Sequence, residues 1–180
     1  MKRRSKLFIS LCTIILLLST FSTGLAGNLS VTRYQQEKSN WCWAASAQMV
    51  GKYITGTLRS QSLVCRYVMG ETSNIPADIS QMKTALFYTT ERTAYSSNSP
   101  LSLATTKSKI NASRPFIARL GWSSGGGHAV VIGGYNNSNV RVIDPASGCG
   151  TKDFTYTIAI QRITAHSHMN ETNQSNRIGE

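Results

Sequence analysis

Residues 36–46 read Q-E-K-S-N-W-C-W-A-A-S, and the fold turns on what begins there. Asn40 is a strong helix N-cap type, and the stretch Trp41–Ile54 carries a helical pattern. Trp43, Ala47, Val50 and Ile54 recur at i, i+4, i+7 and i+11, which makes one apolar stripe. Thr55-Gly56 ends the run, and Gly51 inside it costs about 1 kcal/mol relative to alanine. Cys42 then falls in the first helical turn, where unpaired N–H groups and the positive end of the helix dipole favour thiolate over thiol. A cysteine with only a packing role has no reason to be placed there. Trp41 and Trp43 read as packing residues, Trp43 as part of the helix stripe.

Upstream of this segment the chain reads as a targeting signal. Lys2, Arg3, Arg4 and Lys6 form a basic start, Leu7–Leu18 is an apolar run too short to span a membrane comfortably, and Gly24-Leu25-Ala26 has the small-x-small pattern of a cleavage site. Residues 1–26 are therefore expected to be a signal peptide, and the protein to be secreted with no stable membrane insertion after cleavage. Of the 19 Lys and Arg, removing those four leaves 15 against 8 Asp and Glu, a balance of +7 for the mature chain rather than the formal +11. These charges are scattered singly. That suits a soluble basic surface or attraction to an anionic cell wall, and an exported chain without a nucleic-acid motif gives no support to nucleic-acid binding.

Setting aside Cys12 in the signal, three cysteines remain: Cys42, Cys65 and Cys149. An odd count outside the cytosol implies a free thiol or an intermolecular bridge. The economical solution is a Cys65–Cys149 disulfide with Cys42 free. No C-x-x-C pair exists, so a zinc ribbon or thioredoxin-like site is unsupported and no metal or cofactor is implied.

Further along, a helix is expected over Pro76–Tyr88, capped by Asn74, and a weaker one over 101–112 with Leu103 and Ile110 inward. After Arg114-Pro115 the texture changes. Phe116–Leu120, Ala129–Tyr135, Val140–Ile143 and Phe154–Ile160 are short, β-rich and bounded by turn residues, with Gly125-Gly126-Gly127 and Asn136–Asn139 as turns. Helices followed by an antiparallel sheet make an α+β domain over residues 27–164. The polar stretch 165–180 reads as a disordered tail, and His166 and His168 belong to it. Trp122 suits either the core or a cleft wall.

A reactive thiol needs a partner base. His128 is the one histidine inside the folded region, and it opens a strand directly after the triple glycine. An imidazole needs an orienting group, and Asp144 ends the next strand in V-R-V-I-D-P. With a hairpin turn at Asn137-Ser138, regular pairing puts His128 and Asp144 on opposite faces. A bulge at Gly133-Gly134, or an irregular strand end, restores a shared face. A developing oxyanion needs N–H donors, and the Cys42 backbone and the Gln36 side chain (with Gln35 as the fallback) are the candidates.

This set resembles the papain-like cysteine peptidases. Gln36, five residues, then Cys42-Trp43-Ala44-Ala45-Ser46, followed by His128 and Asp144, repeats the family order. N-W-C-W-A-A-S, G-G-G-H-A-V-V-I-G-G-Y and V-I-D-P are closer still to the compact bacterial group similar to double-glycine leader peptidases and secreted effector peptidases. The resemblance spans about residues 34–160. It implies a two-lobed fold, with an N-terminal helical lobe, a C-terminal antiparallel sheet lobe and the active site in the cleft. It also implies hydrolysis of peptide bonds in protein or peptide substrates by Cys42, His128 and Asp144 with Gln36 as oxyanion donor. The rivals are a peptidoglycan amidase or endopeptidase, an acyl-transfer enzyme, and a non-catalytic toxin module on the same fold.

Overall fold

The computed structural model describes residues 27–97, 99–121 and 127–156, together with the backbone of a short strand at 177–179. The expected signal peptide, Trp122, His166, His168 and all of the expected tail except that strand lie outside the described residues.

Three helices form the first layer: α1 (Cys42–Thr55), α2 (Gln61–Met69) and α3 (Ile79–Thr90). The strands are β1 (Gly27–Asn28), β2 (Ser96–Ser97), β3 (Phe116–Gly121), β4 (Gly127–Asn136), β5 (Asn139–Asp144), β6 (Gly150–Thr155) and β7 (Arg177–Gly179), with a short helix α4 (Leu103–Asn111) before β3. They build one antiparallel sheet in the order β2-β7-β3-β4-β5-β6, and β1 also pairs with β4. The α+β expectation holds, with helices first and sheet after.

α1 is the central element, and it is buried from Cys42 to Gly51. Its apolar residues pack with Val64 and Cys65 of α2, Met82, Ala85 and Leu86 of α3, and Ala129, Val131 and Ile143 of the sheet. Val130, Ile132, Val140 and Val142 meet Phe116 in a second core, closed by Leu103 of α4 and by Phe154. So β4 is covered on both faces, which is why it reads as an unbroken apolar run. Gly51 has a packing role: a Cβ there would sit 2.4 Å from Cβ of Thr89, so the glycine lets α1 and α3 approach.

Several boundaries differ from the sequence reading. Trp41, not Asn40, is the N-cap of α1, and no side-chain bond caps it. Asn40 and Asn74 bond each other instead: Asn40 N donates to Asn74 Oδ1, and Asn40 Nδ2 to Asn74 O, both at 2.9 Å. Helix α3 therefore starts at Ile79, with Asp78 and Gln81 forming a capping box. Helix α2 was not foreseen. Val64, Cys65 and Val68 turn toward the core, but the half-exposed Leu63 and Tyr67 between them blur the pattern as read from sequence. Strand β6 begins at Gly150, ahead of the expected Phe154–Ile160, and shares only Phe154 and Thr155 with it; 157–160 are outside the described residues. It is an edge strand of largely exposed polar residues, without alternation to reveal it.

Candidate active site

Cys42 is the first residue of α1 and is 9 % exposed. Its own N–H belongs to the first turn, whose amide groups have no acceptor within the helix. The helix start is held by its neighbours' indoles: Trp41 Nε1 donates to Ser73 O at 3.0 Å and Trp43 Nε1 to Ile75 O at 3.2 Å. One turn further on, the buried Ser46 hydroxyl donates to Ala129 O at 3.2 Å. That bond ties α1 to β4 one residue from His128.

The sheet supplies the other half. β4 and β5 pair Asn136 with Asn139 around the tip and Val131 with Ile143 further down, and the register shifts between Ile132 and Gly134. The bulge required by the sequence spacing is present. Continuing the Val131–Ile143 pairing by one residue sets Asp144 opposite Val130, two residues from His128 and on its face. His128 Nε2 donates to Asp144 Oδ1 at 2.8 Å, with the two side chains 19 % and 24 % exposed. That leaves Nδ1 for the side of Cys42, which lines the same cleft as His128 and favours the charged ring. Gly127 admits no side chain, because a Cβ there would lie 2.1 Å from the Leu120 carbonyl oxygen.

The electrostatics follow from these contacts. Burial opposes charge on the His128 ring, but the hydrogen bonds to Asp144 and Cys42 and the negative charge of both outweigh it, and its pKa rises from 6.5 to about 9. Burial likewise opposes ionised Asp144 and is likewise outweighed, by the His128 hydrogen bond and charge, the Ala146 N–H and the Cys149 thiol, so its pKa is lowered. A small solvent-open cleft lies over the pair, lined by Cys42, Trp43, Pro76, Met82, Gly127 and His128 among others.

Cys65 and Cys149 do not form the expected disulfide; all three described cysteines are free. Cys65 is buried in α2, where its thiol faces Ser73 O. Cys149 is exposed in the β5–β6 turn, where burial and the nearby negative Asp144 push its thiol pKa up. One thiol belongs to the helical lobe and the other to the sheet. The even pair left by the cysteine count is not a spatial pair.

Gln36 lies in the loop before α1, as expected. Its Nε2 donates to Lys38 O at 3.0 Å and to Ser39 O at 2.8 Å, while its Oε1 is buried without a hydrogen-bond partner. To serve an oxyanion the amide must exchange one of those carbonyls. The loop is braced by a residue the sequence reading passed over. Buried Gln61 accepts from Glu37 N at 2.9 Å and donates to Gln35 O at 2.8 Å and Gln48 Oε1 at 3.1 Å. Gln35, the alternative donor, thus gives its backbone carbonyl to this brace. A single polar residue at a helix start carries no sequence signal for such a role. Arg33, whose guanidinium reaches the Asp144 turn, left none either. Among the described residues no group of three or more His, Cys, Asp or Glu side chains could hold a metal ion.

Residues 28–170 match the Peptidase_C39 like family. The chain belongs to that family. The match and the α+β fold together place it among the papain-like cysteine peptidases. No curated protein matches it. Among solved structures, it is similar to the peptidase domain of Streptococcus ComA, a bifunctional ABC transporter involved in quorum sensing. That pair is 14 % identical over 82 % of this chain and 94 % of the other, with a TM-score of 0.60. A C39-like peptidase from Bacillus anthracis gives 14 % identity over 86 % of this chain and 96 % of the other, also at 0.60. A double-glycine motif protease from an AMS/PCAT transporter, solved with a leader peptide, gives 17 % over 85 % and 91 %, at 0.53.

Proposed function

We propose that this chain is an exported cysteine peptidase that cuts peptide bonds with Cys42 as nucleophile, His128 as general acid and base, and Asp144 as the group that orients the ring. One observation carries the reading: a cysteine at a helix start meets an imidazole whose far nitrogen is 2.8 Å from a carboxylate. The Cys42 thiolate adds to the substrate carbonyl, and the negative charge passes to the carbonyl oxygen. The Cys42 N–H receives that oxygen, with Gln36 as second donor once its amide releases a turn carbonyl. Protonated His128 gives its Nδ1 proton to the departing amine as the C–N bond breaks, which leaves a thioester on Cys42. Neutral His128 then takes a proton from water, the resulting hydroxide attacks the thioester, and the acid product leaves with the thiolate restored.

A peptide substrate is supported by the related double-glycine protease solved with its leader peptide. Export is supported by the basic-then-apolar pattern of residues 2–18. The scattered positive charge suits work near an anionic cell wall.

The test compares wild type and Cys42→Ala, with reductant, on casein, on purified peptidoglycan and on a glutamine/amine donor pair. Cysteine-dependent cleavage of casein is expected, together with labelling of Cys42 by an irreversible thiol-directed peptidase inhibitor. Activity confined to peptidoglycan points to the amidase, and activity confined to the donor pair points to acyl transfer. Activity on none, with Cys42 unlabelled, overturns the enzymatic reading in favour of a binding module.

A further inference from the structure

The segment between β1 and α1 runs along the sheet before it reaches the nucleophile. Leu29 N donates to Gly133 O at 2.8 Å, next to the bulge, and Gln36 N donates to Pro145 O at 2.9 Å. Between them lies half-buried Arg33. Its Nε donates to Asp144 O at 2.7 Å, and its Nη2 to Ala146 O at 2.6 Å and to Pro145 O at 3.4 Å. One guanidinium therefore gathers three consecutive carbonyls of the turn that begins with Asp144. Its charge offsets the repulsion between the negative ends of those three dipoles. The same turn aims the Asp144 side chain, because Ala146 N donates to Asp144 Oδ1 at 2.8 Å, the oxygen that also takes His128 Nε2.

We infer that Arg33 is a positioning residue for the Cys-His-Asp site: by gathering the Asp144, Pro145 and Ala146 carbonyls it fixes the carboxylate that holds His128. It touches neither the ring nor the sulfur and acts through the turn. A geometric consequence follows for the opposite wall of the site. Gln36 bonds the middle carbonyl of the same triplet, so the proposed oxyanion donor and the carboxylate are referenced to one piece of backbone. A lysine could not replace the arginine fully, since an ammonium lacks the planar fork that reaches neighbouring oxygens from two nitrogens.

This inference rests on the peptidase reading, so its primary measurement needs no substrate. The ring titration of His128 is followed by NMR in full-length wild type, Arg33→Ala and Arg33→Lys; the two other histidines, His166 and His168, are replaced to leave one signal. Loosening Asp144 should lower the His128 pKa by roughly half a unit to one unit in Arg33→Ala and less in Arg33→Lys. If casein is cleaved, kcat should fall on the order of tenfold in Arg33→Ala with KM within about twofold. Free guanidinium ion at millimolar concentration should recover part of both changes. A His128 titration unmoved in both variants overturns the inference, whatever happens to melting temperature or rate. If Arg33→Ala fails to fold, Arg33→Lys decides by the same titration.

Discussion

The two halves of the site are mounted by different physics. On the helical side Cys42 is fixed by apolar burial: Trp41, Trp43, Ala44, Ala45 and Ala47 are each 1 % exposed or less. Neutral hydrogen bonds, among them two indole N–H groups on loop carbonyls, tie down the helix start. On the sheet side His128 and Asp144 are partly exposed and fixed by charge and directed hydrogen bonds, through Arg33 and Ala146. Packing sets a position that is indifferent to pH. A charged network sets both a position and a protonation state. Damage to the first should appear as lost stability, and damage to the second as an altered pH profile.

The largest effect should come from cutting the sheet side. Asp144→Ala removes the hydrogen bond and the charge that raise the His128 pKa, and kcat/KM should fall on the order of a hundredfold. Asp144→Asn keeps a hydrogen-bond partner without the charge and should lose less. In both, the alkaline limb of the rate profile should move from about pH 9 toward the ordinary histidine range. Rate measurements across pH check this, and a limb that stays in place would separate Asp144 from the ionisation of His128.

A smaller effect, on stability alone, is expected from the helical side. Gly51→Ala drives a Cβ to 2.4 Å from Cβ of Thr89, and the forced separation of α1 and α3 should cost about 1–3 kcal/mol. Chemical denaturation measures it, and kcat of the folded fraction should be unchanged. If the pH profile shifted too, the division between the two mountings would fail.

A further effect on stability is the pH dependence of folding itself. The raised pKa of His128 contributes stability that is complete below its unfolded value of 6.5 and is lost as pH rises through about 9. The lowered pKa of Asp144 contributes stability present above its ordinary value of 3.8 and lost as pH falls through its depressed one. Thermal melts from acid to alkaline pH should decline at both ends, and His128→Gln should flatten the alkaline decline.

The same division explains what could be read from the sequence. Helix α1, the strands of the central hairpin and the need for a bulge were legible because burial imposes periodicity, and two residues meant to meet must share a face. Cys42, His128 and Asp144 were legible because thiol, imidazole and carboxylate are scarce and their order is informative. Polar bonds between distant segments leave no period. Nothing in the sequence ties Arg33 to residues 144–146, 111 or more positions away, or Gln61 to Gln35. Asn40 and Asn74 were both read as helix caps, a local use of asparagine, when they cap each other across 34 positions. The cysteine count failed for the same reason, since it treats cysteines as interchangeable and cannot see the lobe to which each belongs.

The shifted register between Ile132 and Gly134 also limits how this protein can change in length. A pleated strand has two sides, so adding one residue between His128 and Ile132 would turn the ring away from its carboxylate, and adding two would carry it about 7 Å along the strand. Neither parity leaves the ring in place. The hairpin tip at Asn137-Ser138 lies beyond the last paired residues, Asn136 and Asn139, and can lengthen without moving either partner. Tolerated insertions in this hairpin should therefore gather at its tip.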